Sequence, residues 1–457
     1  MLKVLGILVF CGLLSTTSGA VPGIRSALND VKMAKVVTDT LTKNGLLENN
    51  LKNLGLSDIP LGGLLGLLGN IVGLKPDKAV ITGSVVVLLN EKAEVHLSVR
   101  LDISGNAILP LSSIITISVD ANVKFAVEIK NFSDGKFDFV ISACEVTLGA
   151  IDVKLLGGLL TLPQISTIQK SLTADLLKQT CAIVNNVYAA AHQILLNSLN
   201  VALPLGNYGN LKFQLAALPS ITPTYVGIDL IVAFQYAASG VNVSIPDTAV
   251  SIAVPSLDNN GFCLSISPAA MNILLYVVTP KVPLELINSL TTFSKAEELK
   301  NTLLALVPPG VLPDLPTSDL SLKITIGASP VIAFDTTGGN VTLIADVEIL
   351  SKKADGSKVS VVAVRCRISL KATISLVNGK LILGLSLSKN MFTLVSSGAG
   401  ITDISSLLGP INGLVNEVIL PVLNGPLSNG LPLPTMLGIP LLNATIKTVV
   451  NALVICL

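Results

Sequence analysis

"AEVHLSVRLDIS", residues 93 to 104, alternates without a break. Ala93, Val95, Leu97, Val99, Leu101 and Ile103 fall on one side of an extended chain, and Glu94, His96, Ser98, Arg100, Asp102 and Ser104 on the other. A period of two marks a β-strand with one dry and one wet face. The next segment keeps the rule, with Ile115, Ile117, Val119, Ala121, Val123, Phe125, Val127 and Ile129 set against Thr116, Ser118, Asp120, Asn122, Lys124 and Lys130. Asp134-Gly135, in "NFSDGK" (131–136), supplies a hairpin turn. "FDFVISACEVTLGAIDV" (137–153) then returns as a strand that carries Cys144. These strands exceed the usual five or six residues or so. Their single apolar face predicts an antiparallel sheet curled around a core.

The second half repeats the plan. Val341, Leu343, Ala345, Val347 and Ile349 alternate into "KKADGSK" (352–358), whose turn pair is Asp355-Gly356. The returning strand places Val364, Cys366, Ile368, Leu370, Ala372, Ile374 and Leu376 on one face. In each half a cysteine follows the Asp-Gly pair by about ten residues, so the halves read as a structural repeat. Helical spacing predicts a helix from Pro22 to a stop at Asn44-Gly45. A longer one runs from Gln164 to Asn200, with Leu177, Cys181, Val184, Tyr188, Ala191 and Leu195 on one face. Shorter helices are expected at Pro268–Val278 and in "ISSLLGPINGLVNEVILPVL" (404–423), the latter kinked at Pro410. Leu218–Tyr225, "LPSITPTY", follows neither period and reads as a linker.

The first twenty residues, "MLKVLGILVFCGLLSTTSGA", put Lys3 before a short apolar run and small residues at the end. That is the pattern of a secretory signal peptide, too short to span a bilayer. Half the residues are hydrophobic and mean hydropathy is +0.73, yet the apolar runs are interrupted before a second spanning helix forms. The reading is a secreted, extracellular protein that is not integral to a membrane. Its apolar surplus must be buried, and a lumen for an apolar ligand is one place. Sequons at Asn131, Asn242, Asn340 and Asn443 fit a secreted glycoprotein.

Charge excludes some partners. Residues 21–205 hold fifteen basic and fifteen acidic side chains, and residues 206–457 hold fourteen of each. Neither half is basic, so no nucleic-acid partner is expected. No nucleophile elbow, zinc-protease motif, phosphate loop or Cys-x-x-Cys occurs. His96 lies on a wet face, His192 sits in the long helix without a catalytic neighbour, and Glu297 and Glu298 belong to a charged helical face. The chain therefore reads as no enzyme, with no metal site and no cofactor. The run "LGGLLGLLGNIVGLK" (61–75) is read as a connection covering the barrel end, or else as a mobile flap.

With Cys11 lost in the leader, Cys144, Cys181, Cys263, Cys366 and Cys456 remain, an odd number for an oxidising compartment. A Cys144–Cys181 bridge would pin the long helix to the sheet, worth about 2–4 kcal/mol by loop closure. Cys366 faces the apolar side of its strand, either as a buried thiol or bridged to Cys263 or Cys456.

A strand cysteine followed by a cysteine in a long amphipathic helix resembles the single disulfide of the bactericidal/permeability-increasing, lipopolysaccharide-binding and PLUNC family. "VPGIRSAL" (21–28) looks like that family's opening segment, and "VPSLDNNGFCLSISPAAMNILLYVV" (254–278) is similar to the start of its second domain. "VILPVLNGPLSNGLPLP" (418–434) resembles its stretch before the last strand. The likeness spans the mature chain and is nearest the long, two-domain PLUNC branch. It implies an α+β boomerang of two tandem barrel-plus-long-helix domains joined through a central antiparallel sheet. The expected boundaries are 1–20 for the signal peptide, 21–217 and 226–457 for the domains, and 218–225 for the linker.

The resemblance also implies phospholipid or another apolar small molecule as partner, with bacterial lipid a further candidate. The basic tip of the antibacterial members has no counterpart in the neutral first half. Leu177, Val184, Tyr188 and Leu195 of the helix, with Val123, Phe125, Leu370 and Ile374 of the strands, are the candidate pocket lining. The expected function is lipid binding, with a place in mucosal innate defence; the alternative is a surface-active or host-defence protein with vestigial pockets.

Overall fold

A computed structural model describes residues 21–43, 45–61, 69–108, 113–156, 162–246, 249–280, 283–286, 293–315, 319–353 and 355–457. The leader and residues 62–68 of the glycine-leucine run lie outside them.

The alternating segments form two long-stranded antiparallel sheets. Ile59–Leu61, Gly69–Leu88, Lys92–Ile108, Ser113–Ser133 and Lys136–Leu155 make the first, in that order. Leu284–Leu286, Leu320–Asp335, Gly338–Lys352, Lys358–Val377, Lys380–Ser397 and Leu431–Pro432 make the second. The apolar sets face inward: Val95, Leu97, Val99 and Leu101 are buried in one, and Val364, Cys366 and Ile368 in the other. Asp134 and Gly135 take the positive φ values, 50° and 73°, that the first hairpin turn requires.

Helices cover the margins of each sheet. Asp30–Lys43 packs on Gly69–Leu88 and Leu162–Leu199 packs on Lys136–Leu155, and the two helices touch each other. In the second half Pro268–Val278 lies on Leu320–Asp335, Leu420–Ser428 lies on Lys380–Ser397, and these helices also meet. Each sheet curls until helices bridge its edges, which covers most of the strand margins that would otherwise pair with another chain. At about 1.5 Å per residue, the 38-residue helix Leu162–Leu199 is roughly 57 Å long.

A third sheet joins the halves. Its order is Thr445–Val449, Ala452–Cys456, Phe262–Ile266, Ile24–Leu28, Val226–Tyr236, Gly209–Leu215, Val201–Leu205, and two short strands also pair with Val226–Tyr236. Ile24–Leu28 and Phe262–Ile266 pair antiparallel, with Ser26 opposite Leu264. Each leads into a helix through a capping side chain: Asn29 Oδ1 accepts from Lys32 N at 2.8 Å, and Ser267 Oγ accepts from Ala270 N at 3.0 Å. A pseudo-twofold axis thus passes between these two strands.

Three expectations need correction. Residues 24–28 are a strand, and the helix starts only at Asp30. This strand is nearly buried on both faces, so it shows no alternation. Within the expected linker 218–225, Ser220–Ile221 pairs with Val226-Gly227. The helix Ser405–Ser428 is broken by a π-helical turn at Val415–Ile419, not at Pro410. Pro410 and Pro421 both sit in the first turn of their α-segments, where a missing N–H costs least, and the widened turn lies between the two segments. This helix is, by length and hydropathy, apolar enough to cross a membrane, contrary to expectation; half of its apolar window is buried inside the fold.

One polar interaction sits on the seam. Arg25 Nε and Nη2 donate to Asp229 Oδ2 at 3.1 and 2.8 Å, and Arg25 Nη1 donates to the Ile252 carbonyl at 2.9 Å. Both side chains are about three-quarters buried. Asp229→Ala strands the guanidinium there, and urea unfolding should show a loss of about 1.5–3 kcal/mol, the worth of hydrogen bonds to a charged group. A loss below about 0.5 kcal/mol would mark the pair as solvent-screened.

Candidate functional site

Two small apolar voids lie where each pair of helices meets the central sheet. In the first half, Met33 and Val37 project from the first helix, and Tyr188, Leu195 and Leu199 from the long one. Val86, Ala93, Val95, Val127, Ile129, Phe137 and Phe139 close the sides from the strands. Pro219, Ile221, Val226 and Ile228 of the central sheet form another wall, and Leu437 completes it. The open volume is about 40 Å³. That is room for about three waters at roughly 10–15 Å³ each, but the Tyr188 hydroxyl is the one polar side-chain group in the wall, fewer partners than a buried water needs. The corresponding void in the second half, about 20 Å³, is lined among others by Met271, Leu275, Leu381, Leu383 and Leu427.

An aromatic cluster forms the floor of the first chamber. The Tyr188 ring meets Phe125 and Phe139 edge-on at centroid distances of 5.3 and 5.5 Å, and Phe137 meets Phe139 at 5.0 Å. Burial raises the Tyr188 phenol above its ordinary pKa, so it stays neutral.

Of the candidate lining residues, Tyr188 and Leu195 face the chamber. Phe125 supports Tyr188 from behind, while Val123 and Val184 belong to the surrounding core. Leu177 is 43% exposed and points outward. The inward stripe of the helix runs through Ile168, Leu172, Leu176 and Thr180, and the polar Thr180 concealed it in the sequence. Leu370 is buried in the second sheet and Ile374 half-buried, but its void is lined from the neighbouring strand by Leu381 and Leu383. Met33 and Val37 had a visible helical period. Pro219, Ile221 and Leu437 had no such signal, because a short loop, a two-residue strand and a 3-10 turn are too short to show a period.

Two disulfides brace the frame. Cys144 on Lys136–Leu155 joins Cys181 on the long helix. Cys263 joins Cys456, its direct cross-strand neighbour in the central sheet. Cys366 is a buried free thiol whose pKa burial pushes up to about 12, with Asp346 adding to the rise, so it is unreactive. The outer faces carry mixed charge. Lys124 Nζ lies 3.1 Å from Glu94, Lys130 Nζ 2.7 Å from Glu128, and Arg365 Nε 2.8 Å from Asp346. His96 stands on this wet face with Nε2 3.6 Å from Glu94. The asparagines of all four sequons are exposed, with Asn131 and Asn340 hydrogen-bonded to Asp138 and Asp335. Among the described residues no cluster of His, Cys, Asp or Glu could hold a metal ion.

Residues 22–199 match the N-terminal domain of the LBP / BPI / CETP family and residues 208–456 match its C-terminal domain. The chain is 24% identical over 391 residues to BPI fold-containing family B member 3 of Mus musculus, covering 85% of this chain and 81% of the relative. It is 25% identical over 403 residues to BPI fold-containing family B member 4 of Homo sapiens, covering 86% and 65%. Bactericidal permeability-increasing protein of Sebastes schlegelii is 22% identical, covering 74% and 71%. The crystal structure of lipopolysaccharide binding protein superposes with a TM-score of 0.62 at 16% identity, covering 95% of this chain and 98% of that one.

His192 abuts the chamber floor, its ring 5.2 Å from Phe137 and 4.6 Å from Phe139, with Nε2 unpartnered. Burial lowers its pKa, only partly opposed by a hydrogen bond to the Phe137 backbone and by Asp138. The folded state therefore resists protonating it. The stability this residue contributes is present above its unfolded pKa, about 6.5, and is lost as pH falls below it. His192→Phe removes the penalty. Urea midpoints should show the variant gaining on the native protein between pH 7.5 and pH 5, whereas a constant difference would place the imidazole in water.

Proposed function

The chain belongs to the LBP / BPI / CETP family, lipid-binding proteins without catalytic activity, and from that premise we propose that it is a secreted carrier of phospholipid or other apolar ligands. The chamber carries this reading: seventeen side chains line it and none is charged. An acyl chain placed there gains about 0.8 kcal/mol per buried methylene before ordering costs. The closed volume is far below the roughly 300 Å³ of an ordinary ligand site, so loading parts the walls. Met33, Leu195 and Leu437, long or flexible and contributed by helix ends and a loop, are the side chains free to move aside.

Secretion is supported by the leader pattern, the exposed sequon asparagines and the two disulfides. Polyanionic bacterial lipid is a poorer match than phospholipid, because Lys124, Lys130 and Arg365 are each already engaged by a carboxylate. A role in mucosal defence would follow from whichever lipid the chamber retains.

Native mass spectrometry of the secreted protein, with extraction and identification of co-purified lipid, tests the proposal. One or two lipids per chain are expected. Ala93→Ile, which fills the chamber with a side chain suited to a strand, should abolish retention while raising the thermal midpoint by a few degrees, as about 1 kcal/mol of added packing does. Undiminished retention by this variant would remove the chamber as the site.

A further inference from the structure

A second cavity, about 190 Å³, lies beside the apolar chamber, and Leu195 and Leu437 line both. These two side chains are therefore the partition. The outer cavity is mixed: Lys32, Lys35, Asp39, Thr40 and Ser198 face it, and Val36, Ile194 and Ile439 line the rest. Lys35 Nζ lies 3.5 Å from Asp39 Oδ2, one helical turn away, which neutralises both. Lys32, a turn earlier on the same helix, makes no ion pair among the described residues and leaves the vestibule with one uncompensated positive charge.

The partition is unusual in its backbone. Leu437 has φ 53° and ψ 28°, a left-handed conformation that side-chain-bearing residues rarely adopt. A latch holds it there. Leu437 N donates to Ser198 Oγ at 3.1 Å, and the same hydroxyl donates to the Leu195 carbonyl at 2.7 Å. One serine of the long helix thus holds the Leu437 backbone while leaving the two leucine side chains unbonded. Leu437 itself comes from the far end of the chain, so the wall of the first-half chamber is finished by the second half.

We propose that vestibule and chamber are one binding site divided by Leu437, and that it takes a single-chain anionic amphiphile. This rests on the reading that the chamber holds an apolar chain. The head, a carboxylate or a phosphate monoester, sits at Lys32 in the vestibule; the chain enters through the space that the Leu437 side chain vacates. One residue's width of opening and a narrow chamber suit one chain rather than two. A choline-bearing head would set a second cation beside Lys32.

The test uses the full glycosylated protein after delipidation. Stopped-flow binding of dansyl-undecanoate, and its displacement by oleate, are compared across variants. Leu437→Gly keeps the left-handed backbone without strain and leaves the wall open, so association and dissociation should both quicken by about tenfold, with affinity little changed. Leu437→Asn tolerates the same backbone, keeps a plug of similar length and should retain native rates. Ser198→Ala, which releases the latch without altering the chamber wall, should also quicken exchange and serves if the glycine variant does not fold. Lys32→Gln should weaken oleate and oleoyl lysophosphatidate by about tenfold and leave neutral monoolein unchanged. The tighter of the first two identifies the head as carboxylate or phosphate. Native exchange rates in Leu437→Gly and Ser198→Ala, with Ala93→Ile still blocking the probe, overturn the gate and leave the chamber standing. Unimpaired binding in Ala93→Ile overturns the chamber itself. Equal oleate affinity in Lys32→Gln overturns the anionic head.

Discussion

The pairing of Ile24–Leu28 on both sides at once holds the molecule together. One edge of this strand bonds to Val226–Leu230 and the other to Phe262–Ile266. Neither edge can slip, because a one-residue shift would turn Leu28 and Ile24 off the core face and part Arg25 from Asp229. The two capped helices leave from this strand and its pseudo-symmetric partner, so their direction, and hence where each meets its sheet, is set here. Both voids inherit their position from that geometry.

Closure by helices rather than by a last strand explains why the chambers exist where they do. A strand would complete a hydrogen-bonded ring with a tightly filled interior. Two helices meeting at a sheet margin pack through side chains alone, and the triangular gap they leave is bridged by whichever residues reach it. In the first half those residues include Pro219 and Ile221 from the stretch 218–225 and Leu437 from a distant segment. The Cys144–Cys181 bond ties the long helix to its margin strand, so the gap can widen on one side while the other stays fixed.

Much of the fold was legible because period-two alternation is enforced by the pleat itself. From Ala93 to Ile129 and from Val341 to Leu376 nearly every inward residue could be named. The strand Ile24–Leu28 was misread as helix because burial on both faces erases alternation, and five residues are too few to show anything else. The site was less legible. Tyr188 and Leu195 followed from helical period, but Leu177 did not, since Thr180 interrupts the apolar stripe that Leu176 belongs to. Leu437 lay beyond reach: its role arises from a contact with Ser198 across 239 positions, and its left-handed backbone leaves no mark in composition.

The same central strand has a consequence for biosynthesis. Arg25 leaves the ribosome 204 residues ahead of Asp229. At about 5–20 residues per second, the early strand waits roughly 10–40 s for its first neighbour. During that interval Ile24, Ala27 and Leu28, all destined for a dry interior, face water with both hydrogen-bonding edges open. Such a segment can pair with any other open strand until residues 226–236 have been made. The beginning of this chain therefore cannot reach its final pairing until its middle exists.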